Sequence, residues 1–244
     1  MNSPDAEDLL QIWESGHTAH PLRRALALLD ATAPDQGAGW AEAPVGVRDA
    51  RLIGLHEHLF GTQLQTVTDC PRCAETLESS FTTGQILASR GERMPGVLRW
   101  QMGGTDIRYR LPNSRDLLAV VEGNAEPEEA ERLLLCRCVI EARQDGSAVP
   151  PVALSAEVVD GLAEEMSRLD PDADIQIRLD CPACGYGWSI GFDIVHYLWS
   201  AVDDWAQRTL ADVHLLAGAY GWSEREILGL SATRRRHYIE MVLA

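Results

Sequence analysis

The sequence predicts an α+β fold that is mainly helical, with a small β insertion and a helical hairpin at the C-terminus. Three observations lead to this prediction. Apolar residues recur at helical spacing between residues 5 and 60 and again after residue 192. Two short alternating runs joined by Gly103-Gly104 indicate a β-hairpin between these helical ends. Two Cys-Pro-x-Cys knuckles, beginning at Cys70 and Cys181, bracket that hairpin.

The amino-acid composition indicates which kinds of partner the protein can bind and in which compartment we expect it. The chain has 244 residues, of which 45% are hydrophobic, so it can bury a core without metal. Its formal net charge of −16 repels a phosphate backbone, and nucleic acid is not expected as a general partner. We expect a cytoplasmic protein without a membrane segment, because no apolar run is long enough to span a bilayer and the N-terminus is acidic.

The first region, residues 1–62, is predicted to be helical. The stretch "AEDLLQIWES" places Leu9, Leu10 and Trp13 on one helix face. Pro21, a favoured first residue of a helix, opens the second predicted helix. A turn-rich stretch at 33–46 separates it from a third helix near Val47 to Leu59.

The second region, residues 63–191, contains both knuckles and an inserted α/β lobe at 74–179. The predicted strands "VLRWQM" and "DIRYRLP" flank the Gly-Gly turn. Helical patterns follow at Ser114 to Glu122, at Pro127 to Arg143 and at about Ala156 to Leu169. The paired prolines of "AVPPVALS" exclude regular structure before the last of these helices.

The third region, residues 192–244, contains the most regular helical pattern. A long amphipathic helix is predicted from Val195 to Tyr220. Ser223 and Glu226 then form a capping box, and Trp222 and Ile227 can pack as its hydrophobic staple. A further helix is expected after Ser231.

The cysteine pattern predicts a structural zinc site. Thiols stay reduced in the cytosol, where paired Cys-x-x-Cys turns indicate metal binding ahead of disulfides. The two turns share a preceding Asp and a Pro after the first Cys, so we predict that they are structural counterparts in a zinc-ribbon-like site. The expected ligands are Cys70, Cys73, Cys181 and Cys184.

Two alternatives to zinc remain open at this point. The loop between the pairs is longer than the usual 15 to 20 residues or so, which weakens the signal. The pairs could be two redox motifs, although no thioredoxin-like pattern surrounds either one, or they could be thiols that hold no metal. Four sulfur ligands would close the coordination shell, so zinc is not expected to be catalytic.

The other cysteines and the common catalytic motifs give no further site. Cys136 and Cys138 lie two apart in an apolar run predicted to be helical, where they would point to different sides as buried hydrophobes. The sequence has no G-x-S-x-G elbow, phosphate-binding glycine loop or dinucleotide fingerprint, and no carboxylate pair can be nominated. We therefore expect a non-enzymatic protein without a small-molecule substrate.

A basic cluster, Arg234 to His237, lies in the first turn of the predicted last helix. Cations there oppose the helix macrodipole, which favours a role in docking on an acidic partner. A solvated or internally paired helix face is the alternative. The segment also has a superficial helix-turn-helix pattern, which the acidic net charge argues against as a DNA reader.

Most of the chain resembles a family of T-even-phage-type baseplate (hub or assembly) proteins of contractile tails and extracellular contractile injection systems. The similar stretches include "IWESGHTAHPLRRALALLDA", "DCPRCAETLE", "DPDADIQIRLDCPACGYGW" and "VHLLAGAYGWSEREILGLSATRRRHYIEMV", of which the last is the most distinctive. The four knuckle cysteines match the paired knuckles of this family. The residues that match its C-terminal motif are Trp222, Ser223, Glu226, Arg234, Arg235 and Tyr238.

The resemblance implies a structural adaptor of a phage-tail-like particle, at the baseplate or in its assembly, that binds other baseplate or tail subunits. The expected partner-binding residues are Trp222, Arg234, Arg235, Arg236 and Tyr238. Two other functions stay open. One is a tail-assembly chaperone that is absent from the mature particle, and the other is a zinc-ribbon regulator that contacts nucleic acid through the last two helices.

Overall fold

The computed structural model describes residues 4–32, 39–87, 96–123 and 126–244. Its helices are α1 (Ala6–Gly16), α2 (Pro21–Thr32), α3 (Gly39–Glu42), α4 (Val45–Phe60), α5 (Thr83–Ile86), α6 (Ser114–Glu122), α7 (Pro127–Cys138), α8 (Ala156–Leu169), α9 (Ile194–Tyr220), α10 (Glu224–Leu228) and α11 (Ala232–Leu243). Its strands are β1 (Gln63–Asp69), β2 (Thr76–Thr82), β3 (Leu98–Met102), β4 (Thr105–Tyr109), β5 (Val139–Gln144), β6 (Ser147–Ala148), β7 (Gln176–Asp180) and β8 (Gly187–Gly191). The fold is therefore α+β and mainly helical, as predicted.

The chain divides into two compact units. The first unit consists of Met1–Gly37 and Val195–Ala244, and the second of Ala38–Ile194. The first unit thus combines helices from the predicted N-terminal and C-terminal regions, whereas α4 belongs to the second. The predicted turn-rich stretch lies partly outside the described residues, at 33–38. Within the described ranges, no helix has the length and apolarity needed to cross a membrane.

In the first unit, α1 and α2 pack with the long helix α9 around Trp199. A Cβ atom on Gly16 would overlap the indole of Trp199, so only glycine permits this approach. The guanidinium of Arg24 lies 4.6 Å from the Trp199 ring centroid, and its Nε donates to the carbonyl of Gly16 at 2.8 Å. Trp13 Nε1 donates to Asp203 Oδ1 at 2.7 Å, which adds a polar link between α1 and α9.

The end of the first unit is a small helical cluster. Ser223 and Glu226 form the predicted capping box of α10, and Ser231 caps α11. The cluster buries Val213, Leu216 and Ile227, with Ala217, Trp222, Leu228, Tyr238, Ile239 and Val242 packed against them. Trp222 and Ile227 therefore share one cluster, as the predicted staple requires.

The second unit contains the lobe between the knuckles, built on the sheet β3-β4-β5-β6. Gly103 and Gly104 join β3 and β4 with φ values of 55° and 79°, which a tight hairpin turn needs at both positions. The inward face of the sheet packs with α7 and α8. The buried residues of this core are Ile107, Tyr109, Leu111, Leu135, Cys138, Ala142, Leu154, Val158, Leu162 and Met166.

The helix predicted from Pro127 to Arg143 is wrong in its last five residues. The helix α7 ends at Cys138, and the chain continues directly as β5. Val139 and Ile140 are β-branched and fit a strand, and β5 pairs antiparallel with β4, with Ile107 opposite Ala142. Strand pairing with a distant segment thus overrides the local helical periodicity.

A buried polar network anchors α4 in the second unit. The amide N–H of Gly46 donates to Asp170 Oδ2 at 3.0 Å. Arg48 is buried, its Nε donating to Asp49 at 2.7 Å and its Nη1 to Ser114 Oγ at 3.0 Å. Because each of these buried groups has a partner, the network fixes the start of α4 to the α6 N-terminus and to the loop after α8.

Candidate metal centre

Two small β-hairpins present the knuckles. Strands β1 and β2 form one hairpin and β7 and β8 the other, each antiparallel, with a knuckle in the connection. Asp69 pairs with Thr76 in the first hairpin, and Asp180 pairs with Gly187 at the same position in the second. The two hairpins are therefore structural counterparts, as the matching flanks predicted.

The knuckles share one backbone hydrogen-bond pattern. In the first, the N–H of Ala74 donates to the Cys70 carbonyl at 2.9 Å and the N–H of Cys70 to the Glu75 carbonyl at 2.8 Å. In the second, the N–H of Gly185 donates to the Cys181 carbonyl and the N–H of Cys181 to the Tyr186 carbonyl, both at 2.9 Å. These turns point each pair of cysteine side chains to one side of the loop.

All four predicted sulfurs converge on one point. They lie within 4.8 Å of one another. Two closer separations run between the knuckles, 3.7 Å from Cys70 Sγ to Cys184 Sγ and 3.6 Å from Cys73 Sγ to Cys181 Sγ. Zn–S bonds of about 2.3 Å in a tetrahedron give sulfur separations of about 3.8 Å. The residues therefore fit a single tetrahedral metal ion.

The thiols influence one another's protonation. Burial raises the pKa of Cys70, but hydrogen bonds from the backbone amides of Arg72 and Cys73 and from neighbouring thiols lower it to about 7. A backbone hydrogen bond at Glu75 lowers the pKa of Cys73, yet Cys184, Cys181 and Cys70 together raise it to about 12. One thiolate thus forms readily and disfavours the next, so four thiolates need a cation among them.

Apolar residues that the sequence prediction missed pack against the buried cysteines and link the two hairpins. Leu77 and Trp188, each seven residues after the first cysteine of its knuckle, pack against the buried Cys70 and Cys181. Phe81 and Phe192, also at equivalent positions, meet edge to face at 5.8 Å. The sequence contains a signal for these residues, because the two members of each pair lie at the same distance after the first cysteine of their knuckles. Cys73 remains exposed, and Cys184 is half-buried.

The remaining cysteines lie outside the cluster. Cys136 is half-buried and Cys138 fully buried in the last turn of α7. Burial raises the pKa of Cys138 to about 12, with a further increase from the nearby carboxylate of Asp116. A thiol held protonated in this way is a poor metal ligand, and Cys138 acts as a packing residue.

The predicted partner-binding residues are placed in two different environments. Arg234 and Arg236 are exposed on α11. Arg235 is only 8% exposed, and its Nε lies 3.6 Å from Asp212 Oδ2 on α9. Trp222 stacks on Tyr220 with ring centroids 4.7 Å apart, and Tyr238 meets Trp222 edge to face at 4.9 Å. Arg235, Trp222 and Tyr238 therefore all contribute to packing within the chain.

No match to this chain was found among models of known protein families, curated proteins or solved structures.

Proposed function

We propose that this chain is a non-enzymatic adaptor of a contractile, phage-tail-like injection particle, acting at the baseplate or in its assembly. Resemblance to the baseplate family, over most of the chain and densest in its last stretch, supports this proposal. We further propose that the four-cysteine site holds a structural zinc ion. The convergence of Cys70, Cys73, Cys181 and Cys184 at tetrahedral spacing carries that assignment.

Zinc suits the donor set and an adaptor role. Thiolate ligands favour soft ions, and Zn²⁺ has no redox chemistry that could alter the site. Four protein sulfurs complete a tetrahedral shell, so such an ion has no open position for water or substrate. Its contribution is mechanical, because it ties the two hairpins to each other across a long stretch of chain.

Exposed residues of α11 are proposed to dock on a neighbouring subunit. Met241 is 59% and Leu243 72% exposed, and they follow Arg234 and Arg236 by about two helical turns each. This combination suits a partner surface with acidic groups around an apolar patch. Arg235 is left out of the docking set, because its side chain is buried beside Asp212.

The decisive experiment is purification of the particle after co-expression with its other subunits, followed by mass spectrometry. A resident adaptor is present in the particle in a fixed ratio to the other subunits. A chaperone is needed for assembly and missing from the finished particle. Failure to associate with any tail subunit, and assembly that proceeds without this chain, would contradict both forms of the proposal.

The docking surface is tested separately by charge reversal. The double variant Arg234→Glu/Arg236→Glu is expected to weaken subunit association about tenfold or more, equivalent to ~1.4 kcal/mol. The matched control is Arg115→Glu/Arg168→Glu, which makes the same charge change at exposed arginines of the second unit that lie outside both knuckles. Equal association of both double variants would remove α11 from the proposal.

A further inference from the structure

The lobe of the second unit has an open, charged sheet face. One face of β3, β4 and β5 carries Trp100, Ile107 and Ala142 towards the core. Since side chains alternate along a strand, the residues between them point to the other face. The charged and amide residues on that face are Arg99, Gln101, Asp106, Arg108, Glu141 and Arg143.

The two carboxylates of this face are already engaged. Glu141 Oε2 accepts from Arg108 Nη1 at 3.0 Å, and Glu141 Oε1 accepts from Arg143 Nε at 2.7 Å. Hydrogen bonds from Arg143 and then Arg108 hold the pKa of Glu141 below its usual value. Asp106 Oδ2 accepts from Gln101 Nε2 at 2.8 Å. Each oxygen of Glu141 thus serves one arginine.

Arg99 is placed directly opposite Arg108 in the register of β3 and β4. Like charges at directly opposite positions destabilise a strand pair. Among the described residues, Arg99 has no ion-pair partner that could offset this repulsion. The arrangement therefore costs the strand pair stability.

The space beside these arginines can hold an anionic group. A recess of about 220 Å³ is lined by Arg99, Asp106, Arg108, Glu141 and Arg143. That volume is several times the ~30 Å³ share of one water molecule. Across the three strands the charged residues follow in the order Arg99, Arg108, Glu141, which is two positive charges and then a negative one. A carboxylate bound between Arg99 and Arg108 would make positive and negative groups alternate.

We propose that this face is a docking site for an acidic segment of a partner protein, which places a carboxylate between Arg99 and Arg108. Guanidinium groups bind carboxylates with paired hydrogen bonds, and the recess is positively charged in a chain whose net charge is −16. A nucleic acid would need a track of unpaired cations, whereas the described residues of this face include a single one, Arg99. The proposal does not depend on the tail-particle assignment.

The test uses the full chain and a short fluorescein-labelled oligoglutamate peptide, with anisotropy measured first at about 0.1 M ionic strength, where repulsion from distant acidic residues of the chain is screened. Binding is expected, and it should weaken as salt is added, because the contact is electrostatic. Arg99→Gln should weaken binding about tenfold, or ~1.4 kcal/mol. The same variant should melt at an unchanged or higher temperature, because it removes a like-charge pair.

The matched control is Arg115→Gln, which removes another exposed arginine of this unit, one that pairs with Glu42 at 3.1 Å. Its affinity for the peptide should equal that of the unaltered chain. The proposal is overturned if the peptide does not bind, or if both variants weaken it equally. An oligonucleotide of equal charge that binds more tightly, and through Arg99, would also overturn it.

Discussion

Ala74 and Gly185 occupy the same place in the two knuckles, four residues after the first cysteine, with φ values of 59° and 67°. Each donates its N–H to the carbonyl of that cysteine. The left-handed conformation costs an alanine about 1 to 2 kcal/mol, whereas glycine adopts it freely. Only the first knuckle therefore carries backbone strain at this position.

Exchanging these two residues should change stability in opposite directions. Gly185→Ala is expected to destabilise the second unit by about 1 kcal/mol, and Ala74→Gly to stabilise it by up to about 1 kcal/mol. No atom lies within 4 Å of a Cβ built on Gly185, so the effect is conformational and not steric. Urea denaturation of both variants measures the change. Shifts of the same sign would show that the knuckles are not equivalent.

Metal removal should destabilise the second unit. The chain purified under reducing conditions is expected to contain one zinc ion per molecule by plasma mass spectrometry. A chelator should then lower the unfolding temperature, since a ligand present at 1,000 times its Kd stabilises by about 4 kcal/mol.

The matched cysteine variants identify the ligands. Cys70→Ser should abolish zinc retention, because Cys70 is one of the four clustered sulfurs. Cys136→Ser should retain zinc, because this thiol lies outside the cluster. A chain with no bound metal and a melt insensitive to chelation would rule out the structural zinc. If the purified chain contains one iron ion per molecule, the bound ion is iron and not zinc.

Asp116 should make stability depend on pH. Its side chain is 1% exposed and accepts from Arg110 Nη1 at 2.5 Å and from Arg137 Nε at 3.2 Å. Burial raises its pKa, but the hydrogen bond and charge of Arg110 outweigh this, so the folded pKa lies below the ordinary value. The ionised group thus stabilises the fold above pH ~3.9, and this contribution is lost as pH falls through the folded pKa.

The variant Asp116→Asn should lower the free energy of unfolding by about 2 kcal/mol at neutral pH, because it leaves the half-buried guanidinium of Arg110 and the buried N–H of Asn113 with a weaker, neutral acceptor. Its deficit relative to the unaltered chain should shrink as pH falls below ~4 towards the folded pKa, because Asp116 of the unfolded chain is protonated first. Glu42→Gln is the control, since Glu42 is 63% exposed in its pair with Arg115 and should change stability by less than about 1 kcal/mol. If the deficit in unfolding free energy does not change with pH, the lost stability comes from packing and not from the charge of Asp116.

Two glycines of α4 provide a matched steric test. A Cβ on Gly46 would overlap the Asp170 carboxylate and lie 2.9 Å from the backbone nitrogen of Ala173, whereas a Cβ on Gly54 meets nothing within 4 Å. Gly46→Ala should therefore destabilise the chain by about 2 kcal/mol or more. Gly54→Ala should stabilise it by roughly 0.5 to 1 kcal/mol, because alanine is the better helix former. If both substitutions change the unfolding temperature equally, the loop after α8 moves aside to make room for the methyl group at position 46.

Local signals in the sequence predicted much of the fold and the four cysteines that cluster. The helices α1, α2, α6 and α8, the Gly103-Gly104 turn and the Ser223 capping box depend on residues within a few positions of each other. The prediction failed at β5, where "VIEAR" follows a helix without a break in the apolar pattern. Its strand state depends on pairing with β4, which no local pattern contains.

The sequence by itself determined the form of each knuckle, because the cysteine spacing, the proline and the left-handed residue after the second cysteine act within one turn. Only the tertiary structure decided which sulfurs meet across the hairpins, with Cys70 beside Cys184 and Cys73 beside Cys181. It also decided that Arg235 is buried while Arg234 and Arg236 are exposed. Such outcomes depend on packing between segments far apart in the chain, which neighbouring residues cannot encode.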